Sequence, residues 1–137
     1  MTVLADFEVI VKGFVDIGDG AHEFSVDFDT SGVYSGKPAV IALRVRGLTA
    51  LSEYDPEILI NDQYIGRITA THWSDPKLQA EAANHWYSQH TAFAGHLLNN
   101  GKNTFRVRAL KLKDPKPGNE YDNFAISSVV CFYHQEK

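Results

Sequence analysis

The chain holds one cysteine in 137 residues, and that scarcity is the first constraint on its chemistry. Cys131 has no partner for an intramolecular disulfide. Its place in the apolar run Val129-Val130-Cys131-Phe132 reads as a small buried hydrophobe rather than a reactive thiol. A basic excess is lacking too. The 13 lysines and arginines against 17 acids leave a net charge of −4, without the cationic footprint of a nucleic-acid binder. No stretch approaches the ~18 apolar residues of a membrane helix. The opening Met1-Thr2-Val3-Leu4-Ala5-Asp6 has neither the basic start nor the apolar run of a signal peptide. The expectation is therefore a cytoplasmic protein, or one released without a standard leader.

Catalytic signatures are missing as well. There is no GxSxG nucleophile elbow, no HxH pair, HExxH helix or CxxC element, and Gly18-Asp19-Gly20 lacks the helix and Lys-Ser/Thr pair of a phosphate loop. Asp16, Asp19, Asp27, Asp29 and Asp122 do not follow EF-hand spacing, so they are read as turn and surface residues and no metal ligand is assigned. Carboxylate pairs for glycoside hydrolysis are assembled in space and stay open on sequence alone. The expectation is a chain that is not an enzyme.

What is present is alternation. Phe7, Val9, Val11, Gly13, Val15 and Ile17 recur with the period of two that marks a strand with one buried face. After Gly18-Asp19-Gly20, Phe24, Val26 and Phe28 alternate with Ser25, Asp27 and Asp29, a second strand. Turn residues fill positions 30–38, and a strand follows at 39–48 with Ile41, Leu43 and Val45 on one face and Arg44 and Arg46 on the other. Strands at 57–61 and 64–68 flank a tight turn at Asn61-Asp62-Gln63. Asp75-Pro76 is a helix start, with an N-cap carboxylate and proline at the first helical position, so one short helix is predicted near residues 75–85. Strands return at 89–97 and 103–110, a polar loop fills 111–121, and a last strand at 123–134 is apolar on both faces, as a central strand would be. About eight strands without βαβ alternation imply an all-β, two-sheet antiparallel sandwich or jelly roll, forming a single domain over 1–137.

Three turn-centred segments carry a further resemblance: Ile58-Leu59-Ile60-Asn61-Asp62-Gln63-Tyr64-Ile65-Gly66, Leu97-Leu98-Asn99-Asn100-Gly101-Lys102-Asn103-Thr104-Phe105-Arg106-Val107, and Tyr121-Asp122-Asn123-Phe124-Ala125-Ile126. Together they resemble the galactose-binding-domain-like jelly rolls of carbohydrate-binding modules and of accessory β-sandwiches in glycoside hydrolases. The resemblance implies binding of sugars, small ligands or proteins through loops at one end or a concave sheet. It also allows a structural calcium, for which no residues are assigned; no other cofactor is expected.

The segments at 71–75 and 84–90 gather both tryptophans and three of the six histidines. Aromatic faces stack on the apolar side of a sugar ring while His, Asp and amide groups bond its hydroxyls. The candidate ligand-binding residues are His72, Trp73, Asp75, His85, Trp86, Tyr87 and Gln89. Two roles are open to them, because a long insertion must also bury something to stay ordered. His72, His85 and His90 are the nearest thing to a metal set. Arg44, Arg46, Arg106 and Arg108 form two outward rows, suited to a carboxylate or phosphate if the strands are neighbours and otherwise to cross-strand pairing with Glu23, Asp27 and Asp29. The leading expectation is a non-catalytic, lectin-like module that recognises carbohydrate through the aromatic loop. The alternative is a structural or assembly subunit of a multiprotein or phage-like particle, packing through that loop and its sheet edges against protein partners or copies of itself.

Overall fold

A computed structural model describes residues 2–49, 55–70, 77–78, 81 and 84–136. The strands are β1 (Val3–Ile17), β2 (Glu23–Thr30), β3 (Ala39–Arg46), β4 (Glu57–Ile60), β5 (Gln63–Arg67), β6 (Tyr87–Phe93), β7 (Gly101–Arg108), β8 (Lys111–Lys116), β9 (Asn119–Tyr121) and β10 (Phe124–Glu136). Two antiparallel four-stranded sheets form a sandwich, ordered β1-β10-β3-β6 and β2-β7-β4-β5; β8 and β9 make a separate hairpin. The inward positions expected of β3, Ile41, Leu43 and Val45, are buried together with Ile58, Ile60, Phe105, Val107, Ile126 and Val129. Burying such side chains contributes roughly 1.5–3 kcal/mol each, which makes this interior the main stabilising term. The last strand is central, between β1 and β3, as its two-sided apolarity implies.

Three expectations need amendment. In β1, Phe7 and Val9 face solvent at 56% and 43% exposure. The ladder to β10 shifts register between Val9 and Val11, so Ile10 and Val11 both pack on the core and the alternation changes phase there; a bulge does this because one extra residue turns every later side chain over. The segment 111–121, expected to be a polar loop, contains the β8–β9 hairpin. The strand expected at 89–97 instead runs Tyr87–Phe93 and gives way to a 3₁₀ turn at Gly95–Leu97. Of the predicted helix, Lys77, Leu78 and Glu81 are helical, and most of its other positions lie outside the described residues. Among the described residues no helix is long and apolar enough to cross a membrane.

The first two resemblance segments meet in space. Asn61 and Asp62 both have positive φ, 50° and 65°, as the two-residue hairpin between β4 and β5 requires. The Asn61 amide donates to Leu97 O and to Asn103 Oδ1, both at 2.8 Å, and its Oδ1 accepts from Thr104 N at 2.8 Å. Asn103, 1% exposed, also accepts from Asn99 N and donates to Thr30 Oγ1, Asn99 O and Gly101 O. A buried amide with every valence used holds both turns in one geometry.

Candidate functional site

The candidate residues that the structure brings together lie where β6 begins beside β3. The pairing Tyr87↔Val45, Ser88↔Arg44 sends Tyr87 and Gln89 toward the interior edge and sets Trp86 beside the outward arginines of β3. The Arg46 and Arg44 guanidinium carbons lie over the half-buried Trp86 ring, 5.2 and 5.8 Å from its centroid. Each such contact is worth ~0.5–1 kcal/mol at an exposed site. Among the described residues, the ion pairs are Lys102–Asp27, Arg106–Asp62 and Arg108–Glu57; Arg44 and Arg46 belong to none of them.

Arg46 also lines a cleft of about 360 Å³ with Asp16, Gly18, Gly20, Gly47 and Asn123. Asn123 is fixed there by Asp19: its Oδ1 accepts Asp19 N at 2.9 Å and its Nδ2 donates to Asp19 Oδ2 at 3.1 Å. Asp19 accepts in addition from the backbone N–H groups of Glu120 and Tyr121, at 2.7 and 2.9 Å. The Tyr121 N–H, with Glu120 and Asn123, holds this carboxyl below its usual range. A Cβ on Gly18, whose φ is +153°, would sit 2.1 Å from Asn123 Oδ1. The cleft wall therefore needs glycine at that position.

Tyr87 and Gln89 close the opposite edge of the sandwich. The Tyr87 hydroxyl donates to Thr69 O at 2.7 Å; Gln89 Oε1 accepts Thr69 N at 2.8 Å, and its Nε2 donates to Arg67 O at 2.6 Å and to Thr91 Oγ1 at 3.2 Å. These bonds tie β6 to the chain just after β5. Burial pushes the Tyr87 phenol up to about 12, with the Asp55 and Asp122 carboxylates adding to the effect. His85 is exposed, and His72, Trp73 and Asp75 lie outside the described residues.

The two arginine rows do not share a surface. Arg44 and Arg46 stand on β3 in one sheet and Arg106 and Arg108 on β7 in the other, so they cannot act on one anion. Arg106 Nη1 pairs with Asp62 at 3.0 Å, and Arg108 Nε lies 3.2 Å from Glu57 in an ion pair without hydrogen-bond alignment. Asp27 on β2 instead accepts from Thr104 Oγ1 and pairs with Lys102. Among the described residues no three His, Cys, Asp or Glu side chains group as metal ligands. Asp19 and Asp122 spend their oxygens on Glu120, Tyr121 and Asn123 and on Thr49, so these two are not arranged as a calcium cage.

No protein-family model matches the chain, and no curated protein matches its sequence. Solved structures do resemble it. A β-porphyranase of glycoside hydrolase family 86 from the human gut bacterium Bacteroides plebeius aligns with a TM-score of 0.57 at 17% identity, over 97% of this chain and 21% of that one. A family 35 carbohydrate-binding module from an environmental isolate aligns at 0.52 and 14%, over 100% of this chain and 98% of the module. Dimeric latent PorU from Porphyromonas gingivalis aligns at 0.56 and 8%, over 97% and 13%. The chain thus spans about a fifth of the porphyranase and nearly the whole of the module. These likenesses show the fold: a two-sheet antiparallel β-sandwich like that of the family 35 module and of part of the porphyranase.

Proposed function

We propose that the chain is a non-catalytic carbohydrate-binding module, a single β-sandwich domain that takes its ligand at the Trp86 end of the β3–β6 face. The observation that carries this reading is Trp86 held beneath Arg44 and Arg46, next to a cleft whose polar lining is Asp16, Arg46 and Asn123. An aromatic face supplies the apolar contact a pyranose ring offers, and fixed side chains bond its hydroxyls. His72, Trp73, Asp75 and His85 remain candidate ligand contacts on their residue chemistry, while Tyr87 and Gln89 hold β6 in place beneath Trp86. Support comes from the fold shared with a family 35 carbohydrate-binding module that the chain covers almost completely. The test is a glycan array followed by calorimetry, with Trp73→Ala and Trp86→Ala. The expected outcome is wild-type binding to at least one glycan and about a tenfold or greater loss in each folded variant. No wild-type binding to any sugar refutes the reading.

A second reading rests on a separate observation. Phe7, Val9, Phe14 and Phe132 are exposed on β1 and β10, with the Phe7 and Phe132 rings 6.1 Å apart. Adjacent exposed aromatics on one sheet suit a protein neighbour, as in an assembly subunit. Light scattering across a concentration series, with Phe7→Ser and Phe132→Ser, tests it; a monomer at every concentration removes self-assembly.

A further inference from the structure

Arg44 and Arg46 are the outward cations of β3, two residues apart on one face, so their side chains leave the strand about 7 Å from one another. Both guanidinium groups lie over the same Trp86 ring. A planar guanidinium placed over an aromatic face presents its N–H donors at its edge. Among the described residues neither arginine has a carboxylate within ion-pair distance. The contrast with the other sheet is sharp, since Arg106 and Arg108 there each meet an acid. Two like charges gathered on one ring repel each other, and an anion between them relieves that repulsion. Asp16, the carboxylate lining the adjoining cleft, stands in register with Ala125, which separates it from Arg46 across the sheet. Arg46 therefore forms a cationic wall of a cleft whose other charged wall is anionic.

We infer that Arg44 and Arg46 over Trp86 form an oxyanion subsite, and that the glycan bound at this face carries a carboxylate or a sulfate ester. The inference rests on the carbohydrate-binding reading above and narrows its ligand class. The Trp86 ring orients the two forks, their N–H edges grip the oxyanion, and Asp16 and Asn123 are left to accept hydroxyl protons from the sugar ring in the cleft. The chain's overall net charge of −4 repels polyanions in general, so attraction to one must come from a local feature such as this.

The experiment measures affinity of the full chain for polygalacturonate, its fully methyl-esterified form, a sulfated galactan and its desulfated form, at two salt concentrations. The wild type is compared with the Arg44→Gln, Arg46→Gln double variant and with an Arg106→Gln, Arg108→Gln control on the opposite sheet. Circular dichroism and melting establish that each variant is folded. The expected result is a charged-over-neutral preference of about 30-fold or more in the wild type, falling toward one in the first double variant and persisting in the control. Preference for the galacturonate assigns a carboxylate, and preference for the sulfated galactan assigns a sulfate ester. Binding to neutral glycans alone, or a preference that survives loss of both arginines, overturns the inference and leaves the carbohydrate reading standing. Binding to no glycan overturns the carbohydrate reading, and the ligand assignment with it.

Discussion

Replacing Asn103 by alanine is expected to destabilise the protein by about 3 kcal/mol, counting about 1 kcal/mol for each internal bond that water does not replace. Asn103 makes five side-chain bonds, of 2.8 to 3.1 Å, in a position 1% exposed. Asn99 O keeps the Thr30 hydroxyl as a donor, and Gly101 O lies at the first residue of β7, beside the turn, where solvent can satisfy it. The bonds to Asn61 Nδ2, Asn99 N and Thr30 Oγ1 remain, and those three set the magnitude. For a domain of this length the loss lowers the melting midpoint by about 10 °C. Calorimetry and urea unfolding of Asn103→Ala measure it. A loss under about 1 kcal/mol, with an unchanged urea slope, would refute the argument that this amide holds the two turns together. Asn103→Asp adds an internal check. A carboxylate cannot donate to Thr30, Asn99 or Gly101, so its penalty is expected to exceed that of alanine at neutral pH and to shrink as acid protonates it.

The remaining predictions concern titration and access. Asp19 and Asp27 have carboxyls held below the usual 3.8, Asp19 by the Tyr121 N–H first and Asp27 by the Thr104 hydroxyl and Lys102. Their stabilising contribution is present above that value and is lost as pH falls through their lower folded values. Asp19→Asn is expected to flatten this acid limb of a melting-midpoint profile, and an unaltered limb would count against it. Asp122 has the opposite sign, because burial raises it despite the Thr49 bonds. The stability it contributes is greatest below the usual value and is lost as pH rises through its raised folded value. Asp122→Asn keeps an acceptor for Thr49 N, so it should melt no lower than wild type at neutral pH, with the difference closing on acidification; a lower midpoint at pH 7 sinks this account. Burial pushes the Cys131 thiol up to about 12, so it should resist a disulfide reagent until the protein unfolds. Labelling of the native state at the rate of a free thiol would contradict that.

Much of the sandwich was legible because β2, β3 and β7 alternate cleanly and each buries one face. The exceptions have local causes. The bulge at Ile10 and Val11 leaves no mark in a strand whose residues are apolar on either side of it, so alternation alone puts Phe7 and Val9 on the inner face. Lys111 to Tyr121 looked like a loop because an exposed hairpin has no buried face and hence no apolar period. The candidate site was only half legible. Trp86, Arg44 and Arg46 each drew notice from composition or alternation, but what brings them together is the β3–β6 ladder, which joins residues more than 40 positions apart. Strand order is not a local property, and the same gap set Arg106 and Arg108 beside the wrong partners. Tyr87 and Gln89 carry the same residue chemistry as a sugar contact, and only the inward phase of β6 shows them bonded to Arg67, Thr69 and Thr91.

The place of β10 between β1 and β3 has a consequence for how the chain becomes folded. During synthesis β1 emerges well before β10, yet in its sheet β10 is its one hydrogen-bonded neighbour. Until Phe124–Glu136 leaves the ribosome, the longest of the described strands has no edge to join, and Phe7, Val9 and Phe14 are displayed on an unpaired ribbon. A sheet of such long-range pairings closes slowly, and exposed strand edges in the interval invite association. Chains cut before Phe124 should therefore accumulate as insoluble aggregate rather than as a smaller soluble sandwich.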